Sequence, residues 1–139
     1  MKVSIAVPSL NSARFLPACL DSCAAQTHGH FEVLIADGGS TDGSIEIIER
    51  YCAQDARFRF VSRTDNGQAD AVNRALQQAT GDIACYLNAD DLYIRNDVMS
   101  QVVSVFQSDA DLGVLSMGGE YVDAHGKTLR PVRLRYHPL

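Results

Sequence analysis

The chain has 139 residues, 46% of them hydrophobic and 21% charged, which is enough for one domain with a two- or three-layer core; neither a tethered multidomain machine nor a disordered chain is expected. A net charge of -5 and a pI near 5.2 provide no global positive field for a polyanion, so no nucleic-acid partner is expected. The chain has no apolar run of eighteen residues, and its start, Met1-Lys2-Val3-Ser4-Ile5, lacks the apolar stretch of a signal peptide; a cytoplasmic location is expected, with peripheral attachment at the inner membrane face as the nearest membrane role.

In chain order, Lys2–Val7 is rich in Val and Ile and predicts a strand that stops at Pro8, where proline removes a ladder donor. Asn11 and Ser12 offer cap oxygens to a helix reaching about Gln26, with Leu16, Leu20 and Cys23 on one face. Phe31–Ala36 is almost wholly apolar, as suits the centre of a parallel sheet covered on both faces. A loop of turn formers, Asp37 to Gly43, follows it. Ser44 to about Gln54 predicts a helix with Ile45, Ile48 and Cys52 inward, and Phe58–Ser62 a short third strand.

Gln68–Ala79 carries Ala69, Val72, Ala75, Leu76 and Ala79 at helical spacing, with Gly81 as its stop signal. Ile83–Leu87 predicts a fourth strand, buried by composition, that ends in Asn88-Ala89-Asp90-Asp91. A helix over about Asp97–Gln107, a strand beginning at Val114–Ser116, and a hairpin of Glu120–Asp123 with Lys127–Arg130 complete the pattern. The alternation of strand and helix predicts an α/β fold, a three-layer α/β/α open and mainly parallel sheet with a C-terminal β-hairpin. The four cysteines lack C-x-x-C spacing and are expected as buried free thiols, and His28 and His30 as a surface turn rather than metal ligands.

In such a sheet, ligands bind at the carboxyl ends of the strands. Three of those ends are polar: Pro8-Ser9-Leu10-Asn11, Asp37 and Asn88-Ala89-Asp90-Asp91. Carboxylates held there on stiff backbone suit an oxygen-ligated Mg2+ or Mn2+ that neutralises a diphosphate. Asp90 is the first candidate ligand. Asp37 is assigned to ligand contact, and Asp42 to capping the next helix. Asn66, Gly67 and Arg74 are individually weak signals, and Arg74 becomes a donor only near the phosphates. The chain has no G-x-x-x-x-G-K-[ST], no G-x-G-x-x-G after the first strand and no G-x-S-x-G, which argues against a P-loop NTPase, a dinucleotide dehydrogenase and an α/β-hydrolase.

Four stretches, 3–11, 32–43, 66–75 and 81–91, resemble in order the family-two glycosyltransferases with the nucleotide-diphospho-sugar transferase (GT-A) fold. The resemblance implies that Pro8, Ser9, Asn11, Asp37, Asn66, Arg74, Asn88 and Ala89 bind the donor. Within that set, Pro8 and Ser9 line the nucleotide pocket, Asp37 contacts the nucleoside and Arg74 lies near the diphosphate. Asn88-Ala89-Asp90 matches the D-x-D motif, with Asp90 as the metal ligand and Asn88 in place of the first acid. Gly38 stands where many relatives carry a second acid that reads the base. The implied activity is inverting transfer from a UDP-, GDP- or dTDP-sugar to a saccharide or lipid-linked acceptor, as in cell-surface polysaccharide synthesis. Residues 1–139 are expected to form a single donor-binding domain cut before the acceptor part, with the catalytic base beyond Leu139. The alternatives are a non-catalytic nucleotide-binding or subunit-interaction module that self-associates through an apolar patch, and a nucleotidyltransferase, which the loop after the first strand does not suit.

Overall fold

Two apolar runs build the middle of the sheet. In the computed structural model, which describes residues 1–123 and 125–132, Val3–Ser9 (β1) and Phe31–Asp37 (β2) are buried along their whole length and pair in parallel. Phe58–Ser62 (β3) adds to the far side of β2, and Ile83–Tyr86 (β4) to the far side of β1. The resulting parallel sheet has the order β3-β2-β1-β4.

Side-chain alternation sorts the helices onto two faces. On one face, Val3, Ile5 and Val7 of β1 and Phe31, Val33 and Ile35 of β2 form a core with residues of three helices. These are Leu16–Ala24 (α1), Ser44–Gln54 (α2) and Val98–Ser108 (α4). On the other face, Ala6, Leu34 and Ala36 pack on Ala71 and Ala75 of Gln68–Leu76 (α3). This is the expected three-layer α/β/α arrangement. A second unit begins at Asp109 and contains an antiparallel hairpin of Gly119–Val122 (β5) and Thr128–Val132 (β6). Arg133 and Arg135, which with Arg130 make the end of the sequence a polar, basic tail, lie outside the described residues. Among the described residues, no helix is long and apolar enough to cross a membrane.

Several sequence expectations are corrected. β1 runs through Pro8 to Ser9 rather than stopping before the proline. Even-numbered residues of β1 face β4, as the bond from Leu87 N–H to Ala6 O shows, and β4 has no residue opposite Pro8. The missing donor falls where the β1–β4 ladder ends, while β1 stays paired with β2 on its other side. α1 begins at Leu16 rather than beside Asn11, because Pro17 is tolerated only in a first turn. Gly81 does not cap α3, which already ends at Leu76. A β-carbon on Gly81 would lie 2.6 Å from Ser4 Oγ and 2.8 Å from Lys2 O, so the glycine permits close approach to β1. β4, expected to be buried, is an edge strand among the described residues, with Tyr86 59% exposed. Residues 114–116 form no strand; a run this short, between Gly113 and Gly118, has no local partner to pair with. The four cysteines are free as expected, Cys19 and Cys23 buried and the other two half-buried.

Candidate functional site

The loops after β1, β3 and β4 surround a cleft of about 550 Å³ at the carboxyl end of the sheet. Its walls include Pro8 and Ser9 at the end of β1 and Leu10 after it, Asp65 and Gly67 from the β3–α3 turn, Gln68 and Ala71 from α3, and Asn88, Ala89 and Asp90 after β4. Pro8, Ser9, Asn88, Ala89 and Asp90 were singled out in the sequence and come together here. The Asp90 side chain is exposed and makes no hydrogen bond or ion pair with the described residues. Its neighbour Asn88 is held: its Nδ2 donates to Asp91 Oδ2 over 2.9 Å, and its Oδ1 accepts from Gln68 Nε2. The buried Ser9 hydroxyl has no hydrogen-bond partner among the described residues.

Four other sequence candidates do not line the cleft. Asp37 has no exposed surface. It closes the turn after β2, with Oδ2 accepting from Gly39 N–H at 2.9 Å, Ser40 N–H at 3.0 Å and Ser62 Oγ at 2.8 Å, and Oδ1 accepting from Ser40 Oγ. Burial pushes its pKa up, but the bonds from Ser40, Ser62 and Gly39 together outweigh it and hold the carboxyl below its ordinary value. A strand-end acid buried in this way acts as a brace. Asn11, at φ 49°, is fixed in the left-handed region, and its Oδ1 accepts from Thr41 N–H. Arg74 is 7% exposed and donates to Asp70 Oδ2 at 2.9 Å and to Arg63 O at 3.1 Å. It ties α3 to the β3–α3 turn, in which Asn66 N–H also bonds Asp70. Asp42, read as a cap, receives Ser44 N–H at the start of α2 and Ala13 N–H as well.

Sequence reasoning passed over Asp65 and Gln68. Gln68 reaches its partner Asn88 across twenty residues of chain. Asp65 accepts Gly67 N–H on Oδ1 at 2.9 Å, while its Oδ2 lies 2.8 Å from the position a β-carbon on Gly38 would take.

An open α/β sheet with a polar cleft across its carboxyl edge, flanked by the N–A–D turn after β4, has the architecture of the GT-A nucleotide-diphospho-sugar transferases. The chain belongs to glycosyl transferase family 2, which it matches over residues 4–133. It is 42% identical over 102 residues to the PGL/p-HBAD biosynthesis glycosyltransferase of Mycobacterium tuberculosis, covering 73% of this chain and 40% of that protein. Among solved structures, S. aureus TarS 1–349 in complex with UDP-GlcNAc superposes with a TM-score of 0.71 and 28% identity over 78% of this chain and 32% of its own. The mannosyltransferase PcManGT of Pyrobaculum calidifontis, in complex with GDP-Man and Mn2+, gives 0.70 and 29% over 75% and 32%. The chain thus spans about two-fifths or less of the length of these relatives.

Proposed function

We propose that the cleft binds a nucleoside-diphosphate sugar, with Mg2+ or Mn2+, as the donor part of an inverting glycosyltransferase. The observation that carries this reading is the unengaged Asp90 carboxylate on the wall of a strand-end cleft. Among the described residues no three His, Cys, Asp or Glu side chains gather as a cage. A hard divalent ion needs none, since it takes one or two protein carboxylates and completes its shell with phosphate oxygens and water. Asp90 therefore fits as its protein ligand, and the ion, when bound, supplies charge that stabilises the departing diphosphate. The ligands named for TarS and PcManGT support the same reading.

In this reading Pro8 and Ala89 give the cleft shape, and the free Ser9 hydroxyl offers the donor a hydrogen bond. Asn88 contributes position rather than charge, because Gln68 and Asp91 hold its amide. Asp37, Arg74, Asn66 and Asn11 support the turns instead of touching the donor. The acceptor hydroxyl, on a saccharide or lipid-linked partner, attacks the anomeric carbon opposite the diphosphate. The new carbon–oxygen bond forms as the bond to the diphosphate breaks, and the acceptor proton passes to a base that no residue of this chain is assigned to be.

Calorimetric titration of UDP, GDP and dTDP with and without Mn2+ tests the reading, repeated on Asp90→Ala. Metal-dependent binding that the substitution abolishes supports it; absence of binding, or binding indifferent to both metal and substitution, overturns it.

A further inference from the structure

Asp65 carries chemistry that the family motifs leave unassigned. It lines the cleft, and only one of its carboxylate oxygens is engaged, by Gly67 N–H. The other, Oδ2, makes no hydrogen bond with the described residues and stands over Gly38, 2.8 Å from where a β-carbon would be. That imagined β-carbon also lies 3.4 Å from Leu10 Cδ1, an apolar side chain that lines the same cleft. Gly38 thus leaves the space that the Asp65 carboxylate fills.

The sheet gives the scale of the span between the strand ends behind Gly38 and the proposed metal acid. Gly38 follows β2 and Asp90 follows β4, with β1 between them. Two strand spacings separate those ends, roughly 10 Å. That is the order of length of an extended nucleoside diphosphate from the far edge of its base to its second phosphate. A diphosphate at Asp90 would then place the base at Asp65.

Resting on the donor reading above, we infer that Asp65 reads the nucleobase by accepting its ring N–H. A carboxylate oxygen only accepts hydrogen bonds. Uracil and thymine present an N3–H, and guanine an N1–H flanked by its amino group. Cytosine and adenine carry a lone pair at the equivalent ring nitrogen, which faces the carboxylate with no proton between them. The selectivity lies in the unpaired groups that the wrong base leaves behind. Arg74 acts as a positioning residue, since its bonds to Arg63 O and Asp70 hold both ends of the turn that bears Asp65.

The test measures affinities for UDP, GDP, CDP and ADP with Mn2+ in the whole chain, in Asp65→Asn and in Gly38→Ala. The wild type is expected to prefer UDP or GDP over CDP and ADP. Asp65→Asn, which adds a donor, should lower the UDP-to-CDP affinity ratio about tenfold or more, with the thermal midpoint unchanged because Asp65 sits in a surface turn. Gly38→Ala should displace the carboxylate and reduce the same ratio. A wild type that binds all four nucleotides equally, or an Asp65→Asn ratio equal to that of the wild type, overturns the inference and leaves the donor reading standing. Failure of the wild type to bind any nucleotide overturns the donor reading and this inference with it.

Discussion

Ser4 and Glu32 are register partners on adjacent parallel strands, and the Ser4 hydroxyl donates to Glu32 Oε1 over 2.7 Å in the interior. Thr80 N–H and Oγ1 add bonds to the same oxygen, while Lys2 Nζ at 3.0 Å and Arg59 at 2.7 Å pair with Oε2. Burial alone would raise the Glu32 pKa; the bonds from Ser4, Thr80 and Lys2 reverse that and bring it down to about 2. A carboxyl depressed in the folded state contributes stability that is fully present above its unfolded pKa, near 4.5, and is lost as pH falls toward 2. Glu32→Gln should therefore cost about 3 kcal/mol at pH 7 and flatten the acid limb of the stability curve between pH 4.5 and 2. Urea denaturation at stepped pH checks both.

Gly81 faces backbone on β1, which cannot yield as a flexible side chain would. Gly81→Ala should cost about 2 kcal/mol, the usual range for overpacking, despite the lower chain entropy that alanine brings to the unfolded state. A fall in thermal midpoint is the readout; a rise would mean that the strands separate freely at this point.

Asp37 and Asp90 are two strand-end acids with opposite expected behaviour. Asp37→Ala orphans the donors of Gly39, Ser40 and Ser62 and should destabilise by about 3 kcal/mol. Asp90→Ala removes an exposed group with no partner among the described residues, and stability should stay within about 0.5 kcal/mol. Parallel denaturation curves distinguish the brace from the ligand.

Arg74 separates a turn-holding role from a phosphate-binding one. If its work is to hold the β3–α3 turn, Arg74→Met should weaken uridine and UDP by the same factor. Loss confined to the diphosphate would instead put its guanidinium on the phosphates. Competition binding with uridine, UMP and UDP reads the difference.

The layers were legible wherever apolar residues fall at one local period. Phe31 to Ile35 reads as a central strand because a run of that composition requires cover on both sides, and Ala75 reads as part of a helix face by spacing, whereas the spacing passed over the buried Ala71 and chose Ala69, which is exposed. Glu32 within the same run gave no hint of its partners, which come from residues 2, 4, 59 and 80. The site divides in the same way. Pro8, Ser9 and Asp90 stand at strand ends that periodicity locates, and they line the cleft. Asp37 also stands at a strand end, but whether such an acid faces a ligand or its own turn depends on the hydroxyls of Ser40 and Ser62, one of them on another strand. Asp65 was missed because its meaning depends on the absence of a side chain at position 38, a pairing visible only when the β2 and β3 turns are brought together.

Pro8 sits where β1 still pairs with β2 but has outrun β4. Any other residue there would add an N–H on the β4 side, level with Leu87, where the β1–β4 ladder has just ended. The proline makes the strand one-sided at that point: it remains zipped to β2 while its other edge stays silent as a donor, so nothing in the main chain at position 8 competes with Ser9 for a ligand's acceptor atoms.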